Sequence, residues 1–223
     1  EKQDRKGKGH VPMKYELNQI ILADCMDIMC DIPDKYFELA IVDPPYGIGV
    51  NKMTLGSGKY KTNKTWDSTI PSGYYFFELF RISQNQIVFG GNYFIEKLKN
   101  TSCFIVWDKN NGNSDFADCE LAWTSFNSPT RKFKNTWCGS SAYQQEGMNK
   151  IHPTQKPVAL YRWLLQNYAK PGDKIIDTHS GSGSCAIACH IEKHDFLAIE
   201  KDADYHAASV KRLEEVRAQG VLF

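Results

Sequence analysis

Asp43-Pro44-Pro45-Tyr46 stands directly after an apolar run, Glu38–Val42 (ELAIV). Two adjacent prolines hold the chain extended and donate no backbone hydrogen bond, while their carbonyls stay free to accept. Asp43 adds a carboxylate acceptor and Tyr46 a flat ring. Such a group can take two N–H bonds from an amino group and stack on the planar ring that carries it. The plainer reading is a proline-rich strand exit with a packed tyrosine. A second candidate is Asp177–Ser184 (DTHSGSGS), between the run KIID and a helical segment. Gly181 and Gly183 there permit a tight turn and close approach of a ligand to the backbone. Glu200 closes the next apolar run, 23 residues beyond Asp177, where an acid commonly holds ribose hydroxyls. Ala186 takes the place of the third glycine of the full dinucleotide fingerprint. Strand, GxG turn, helix, strand and terminal acid together point to an adenosine-containing cofactor.

These motifs need strands that end where they begin. Short β-type runs recur at Gln19–Ala23, Glu38–Val42, Gln86–Phe89, Cys103–Trp107, Glu120–Phe126, Lys174–Asp177 and Phe196–Ile199. Several are continuously apolar, as strands covered on both faces are. Helical periodicity predicts helices over Val158–Tyr168, Ser184–Lys193 and Ala203–Ala218. Strands alternating with helices predict an open α/β sheet. Ligands of such sheets bind at the carboxyl ends of the strands, where both motifs fall.

Two segments lack this periodicity and read as surface loops. Asn51–Trp66 carries four lysines, among them Lys59, Lys61 and Lys64, and no acid. Asn127–Tyr143 carries Arg131, Lys132 and Lys134, again with no acid. Tyr60, Trp66, Phe133, Trp137 and Tyr143 are interleaved with these cations. The mixture suits phosphate contact with base stacking, or equally two solvated loops with anchoring aromatics. Cys185, Cys189, His190 and His194 lie close in sequence, but they follow the glycine turn on a helix expected to pack on the sheet. Gly58-Lys59 is no phosphate loop, because Tyr60 stands where Ser or Thr is needed.

The 223 residues amount to one medium domain, or one with a small insertion. Residues 1–12 read as a leader outside the fold, and 13–223 as one domain with short recognition insertions near 49–70 and 127–150. A net charge of +1 excludes a globally basic nucleic-acid coat and leaves room for a local patch. No apolar run is long enough to span a bilayer. Seven scattered cysteines without CxxC pairs predict reduced thiols in a cytosolic protein.

DPPY first, DTHSGSGS later, and His152–Pro157 (HPTQKP) between them resemble a β-class amino-methyltransferase of DNA. The resemblance covers roughly residues 19–218. It implies a Rossmann-like S-adenosylmethionine-dependent methyltransferase fold with a mixed, mainly parallel seven-stranded sheet and circularly permuted motif order. It implies Asp43, Pro44, Pro45 and Tyr46 as the catalytic group. By the same resemblance, Asp24 and Cys25 contact the cofactor adenine, although Asp24 can also be read as a turn cap. His152, Lys156, Asp43, Asp177, His179, Gly181, Ser182, Gly183 and Glu200 complete the implied cofactor site. His179 stands where the family usually has Phe, Ser184 where it has Thr, and Ala23 where it often has Gly. No metal is implied. Double-stranded DNA is the implied partner, homodimers are frequent in the family, and a partner nuclease is not legible.

The resemblance makes N6 methylation of adenine the leading expectation, since Asp rather than Ser opens the motif; N4 methylation of cytosine shares the chemistry. A flipped-out base would present its amino group to Asp43 and the Pro44 carbonyl, with Tyr46 against the ring. Attack on the C5 carbon of cytosine needs a nucleophilic Cys in a Pro-Cys pair, which the chain lacks. A catalytically silent nucleic-acid-binding module and an NAD-dependent oxidoreductase are the competing classes. Intact DPPY argues against both.

Overall fold

The computed structural model describes residues 12–49, 67–111, 117–137 and 151–220. Eight strands among them form one sheet: β1 (Gln19–Leu22), β2 (Phe37–Val42), β3 (Ser83–Phe89), β4 (Phe104–Asp108), β5 (Cys119–Thr124), β6 (Arg131–Lys134), β7 (Ile175–Asp177) and β8 (Phe196–Glu200). Their order is β1-β8-β7-β2-β3-β5-β4-β6. The five strands from β1 to β3 in that order are mutually parallel; β5 runs antiparallel to both β3 and β4, and β6 is parallel to β4.

This is the mixed, mainly parallel Rossmann-like sheet expected, with one strand more than the seven apolar runs. The extra strand, β6, lies inside the segment read as a basic loop. Its sequence RKFK has no apolar run, because an edge strand has one neighbour and one covered face. Only Phe133 turns inward, packing at 5.5 Å on Trp163.

Five α-helices flank the sheet among the described residues: α1 (Cys25–Met29), α2 (Gly73–Ile82), α3 (Val158–Tyr168), α4 (Ser184–Glu192) and α5 (Ala203–Ala218). The strands sort their side chains by parity. Leu39, Ile41, Ile87 and Phe89 join the core beneath α3, α4 and α5, with Leu160, Leu164, Ile187 and Leu213. Ala40, Val42 and Val88 join the core beneath α1 and α2, with Met29, Phe76 and Leu79. Both faces are therefore covered, which accounts for the unbroken apolar runs. The short helix α1 and the amphipathic α2 had no distinct sequence expectation. Asp24 caps α1, accepting from Met26 N at 3.0 Å, and Ser72 caps α2, accepting from Tyr75 N. No described helix is long and apolar enough to cross a membrane.

From the central pair β7/β2 the chain winds outward in opposite directions. β7 passes through α4 to β8 on one side, and β2 passes through α2 to β3 on the other. A crevice opens at such a switch point, outside the carboxyl ends of the strands. The residues at that edge are Asp43 after β2 and Asp177 at the end of β7. Leu164 is fully buried in α3 beneath this sheet. Leu164→Ala should lower stability by about 2–5 kcal/mol, read as a shifted midpoint in urea unfolding.

Candidate active site

On the β7/β8 side, the turn Thr178–Gly183 links β7 to α4. Gly181 and Gly183 adopt φ of +51° and +73°, a left-handed conformation that favours glycine. A Cβ on Gly183 would also stand 3.0 Å from Ser209 Cβ of α5. The turn is tied to the end of β8. Gly181 N donates to Glu200 Oε2 at 2.7 Å, and Asp202 N donates to Glu200 Oε1 at 2.8 Å. A carboxylate offers about four lone-pair sites, so an oriented acceptor remains for a diol. The buried Ser180 Oγ has no hydrogen-bond partner among the described residues. The left-handed glycine turn, the fixed carboxylate and this unused hydroxyl fit a polar, ribose-bearing cofactor.

Around the turn stand the other residues singled out in the sequence. The His152 ring packs edge-on against Tyr205 at 4.4 Å and lies 3.8 Å from where a Cβ on Gly181 would be. His179 bonds Thr178 Oγ1 through Nδ1 at 2.9 Å and meets Tyr75 edge-on. Burial pushes its pKa down to about 4, so the ring is neutral and can serve the packing role of the Phe it replaces. Asp24 accepts from Lys201 Nζ at 2.6 Å, and that bond holds its carboxyl below the usual range. Burial pushes the Cys25 thiol up to about 12, which removes it as a nucleophile. Asp177 is buried and accepts from His179 N at 3.0 Å; burial, with the charges of Asp43 and Glu200 adding to it, pushes its pKa up to about 8. Ser182 contributes its carbonyl to Arg212 Nη1 at 2.9 Å. Arg212 also donates to Ser184 Oγ and supports the turn from α5. No motif pointed to Arg212, since a lone cation on a polar helix looks like a solvated one.

On the β2 side, both oxygens of Asp43 are engaged. Tyr46 OH donates to Oδ1 at 2.7 Å and Lys156 Nζ donates to Oδ2 at 2.5 Å. The sequence reading had treated Asp43 as an open acceptor and Lys156 as a cofactor-side residue. The structure brings Lys156 to the Asp43 carboxylate, 113 residues away along the chain. Lys156 Nζ also lies 3.1 Å from Glu120 Oε2, and Lys109 Nζ lies 2.6 Å from Glu120 Oε1. Burial alone would lower the Lys156 pKa, but Asp43 and Glu120 outweigh it and hold the ammonium charged. Against the opposing effect of burial, Lys156 and Lys109 together hold Glu120 below its usual range. Glu120 escaped the sequence reading, although an acid inside the run ELAWTSF was a signal.

Pro44 is buried and Pro45 partly so. The Tyr46 ring stacks on Tyr93, with centroids 5.0 Å apart and planes 16° from parallel. It also lies so close to Gly90 that a Cβ there would come within 2.2 Å of the ring. The backbone of Tyr46 is set by the buried Asp67, whose Oδ1 accepts from Tyr46 N at 2.8 Å and Gly47 N at 2.9 Å. Asp67 was likewise not singled out, because it follows a segment read as loop.

The cations Arg131, Lys132 and Lys134 are exposed on the edge strand β6, and Lys132 lies 3.4 Å from Asp108. Phe133 and Trp137 pack against the core, so they anchor the segment as the plainer reading had it. Lys59, Lys61 and Lys64 lie outside the described residues.

A family model described as DNA methylase, covering N6 and N4 amino-methyltransferases, matches residues 105–211. The type II methyltransferase M.HinfI of Haemophilus influenzae is 24% identical over 249 residues, covering 90% of this chain and 69% of that protein. The solved M1.HpyAVI–SAM complex has the same fold, with a TM-score of 0.58 at 20% identity over 87% of this chain and 98% of the other. PvuII DNA methyltransferase, a cytosine-N4-specific protein, matches with a TM-score of 0.57 at 12% identity over 93% of this chain and 96% of its own. DPPY and the glycine turn lie at opposite sides of one switch point, residues 105–211 match the DNA methylase family model, and the chain is similar to N6/N4 DNA methyltransferases over most of its length.

Proposed function

We propose that this chain methylates the N6 amino group of adenine in double-stranded DNA, using S-adenosylmethionine. The observation that carries the reading is Asp43 at the carboxyl end of β2, one strand from the Glu200-tethered glycine turn's own strand β7. The cofactor supplies an electrophilic methyl group. Glu200 is assigned to its ribose diol, Asp24 and Cys25 to its adenine end, and His152, Asp177, His179, Gly181, Ser182 and Gly183 to the walls around it. Residues 13–223 are taken as one domain whose insertions near 49–70 and 127–150 face DNA, with Arg131, Lys132, Lys134, Lys59, Lys61 and Lys64 on phosphates.

The chemistry required of the chain is positioning. An exocyclic amino nitrogen is a poor nucleophile because its lone pair is conjugated with the ring. Acceptors for both of its protons favour a pyramidal nitrogen and free that pair. Asp43 and the Pro44 carbonyl are assigned that task on a flipped-out base. Tyr46 is assigned to the face of the base, and it must loosen its bond to Asp43 to reach it. The proton shed after transfer passes toward Asp43 and on to solvent. N4-cytosine methylation is the second reading, favoured by the likeness to the cytosine-N4-specific PvuII protein; Asp at position 43 favours adenine through the resemblance.

Incubation with labelled S-adenosylmethionine and mixed-sequence DNA, followed by nucleoside analysis, should yield N6-methyladenine; label in N4-methylcytosine alone would select the second reading. In the same assay Asp43→Ala should stay folded, bind cofactor and lose almost all transfer, while Asp43→Asn keeps part of it. Glu200→Ala should weaken cofactor binding by about 1.5–3 kcal/mol in calorimetry, and unchanged affinity in a folded variant would take Glu200 out of the site. Replacing Arg131, Lys132 and Lys134 together by Ala should weaken DNA binding and flatten its salt dependence without touching cofactor affinity. An unaltered salt slope would make β6 an ordinary edge.

A further inference from the structure

Lys156 poses a difficulty for amino-group capture. Its ammonium holds one Asp43 oxygen while the Tyr46 hydroxyl holds the other, so an incoming amino group meets a carboxylate engaged at both ends. The Lys156 side chain is only 4% exposed, so water offers it no alternative. The alternative is built in. Glu120 Oε2 is buried and already 3.1 Å from the ammonium, a longer contact than the 2.5 Å to Asp43. The other Glu120 oxygen is held by Lys109 at 2.6 Å, which fixes the carboxylate in place. Between the two carboxylates the ammonium rides over the Phe89 ring, 4.7 Å from its centroid. A short swing toward Glu120 therefore keeps the charge paired throughout.

We propose that Glu120 is a positioning residue that takes the Lys156 ammonium when the target amino group claims Asp43. The transfer exchanges one ion pair for another, with no proton or covalent bond changing hands. Before substrate arrives, Lys156 holds the Asp43 carboxylate in register. Once an N–H of the base bonds to Asp43, Glu120 becomes the better partner for Lys156, and the Asp43 carboxylate is open to substrate. Glu120 Oε2, the more distant partner of the ammonium at 3.1 Å, is the acceptor that the second arrangement uses. This inference rests on the amino-methylation reading.

Single-turnover methylation of unmethylated genomic DNA, at saturating S-adenosylmethionine, would compare wild type with Glu120→Gln and Glu120→Asp. Glu120→Gln keeps the shape and loses the charge that draws Lys156 away. It should slow transfer on the order of ten- to a hundredfold at unchanged cofactor affinity, whatever melting temperature the lost charge costs. Glu120→Asp, which restores the charge, should recover most of the rate. A wild-type rate in Glu120→Gln, or equal slowing in both variants in step with lost cofactor affinity and melting temperature, would overturn the proposal. Where Glu120→Gln does not fold, a crystal structure of wild type decides. With S-adenosylhomocysteine and a duplex carrying the mapped methylation site, Lys156 Nζ should be hydrogen-bonded to Glu120 and clear of Asp43. Lys156 still on Asp43 beside a bound amino group would refute the exchange. A wild type that transfers no methyl to DNA defeats the amino-methylation reading and this role with it, whereas an active wild type matched by Glu120→Gln removes Glu120 alone.

Discussion

An ammonium taken out of water costs several kcal/mol unless carboxylates surround it, and Lys156 is such an ammonium. Its compensation comes from distant parts of the chain. Asp43 leaves the end of β2, Glu120 sits in β5, and Lys109, which steadies Glu120, follows β4. Four charges of alternating sign thus run across the sheet from its centre toward its antiparallel side. The order β2-β3-β5-β4 is what brings them into line. Removal of any one member leaves a neighbour with unbalanced charge in a poorly hydrated site, so the line constrains strand order and side-chain choice together.

The other side of the switch point works by backbone geometry instead. Glu200 and the two left-handed glycines shape a turn in which backbone N–H groups do the tethering, and Arg212 stiffens it from behind. The two halves meet at adjacent strands, with Asp177 and Asp43 ending β7 and β2. Burial pushes the pKa of Asp177 up to about 8, and the charges of Asp43 and Glu200 add to that rise.

Most of the fold was legible because strands covered on both faces are largely apolar, and seven short β-type runs marked seven of the eight strands. β6 escaped because an edge strand needs only one inward residue, Phe133. α2 escaped because its stretch carries aromatics on both its buried and exposed faces, Phe76 and Phe77 among them, which blurs the period. Within the site, DPPY and the glycine turn were legible because their residue types are unusual at strand ends. Their partners were not, since Glu120, Lys109, Arg212 and Asp67 acquire meaning only through contacts far apart in sequence. Lys156 was visible within HPTQKP, yet its contact depends on a pairing that spans half the chain.

Asp67 has a consequence for how such a chain can diversify. Its side chain fastens the amides of Tyr46 and Gly47, and its carbonyl accepts from Gly49 N at 3.1 Å. These bonds fix the backbone at positions 46, 47, 49 and 67 by themselves. Adding or removing residues of the sequence between 49 and 67 leaves their donors and acceptors unchanged, so Tyr46 stays where the chemistry needs it.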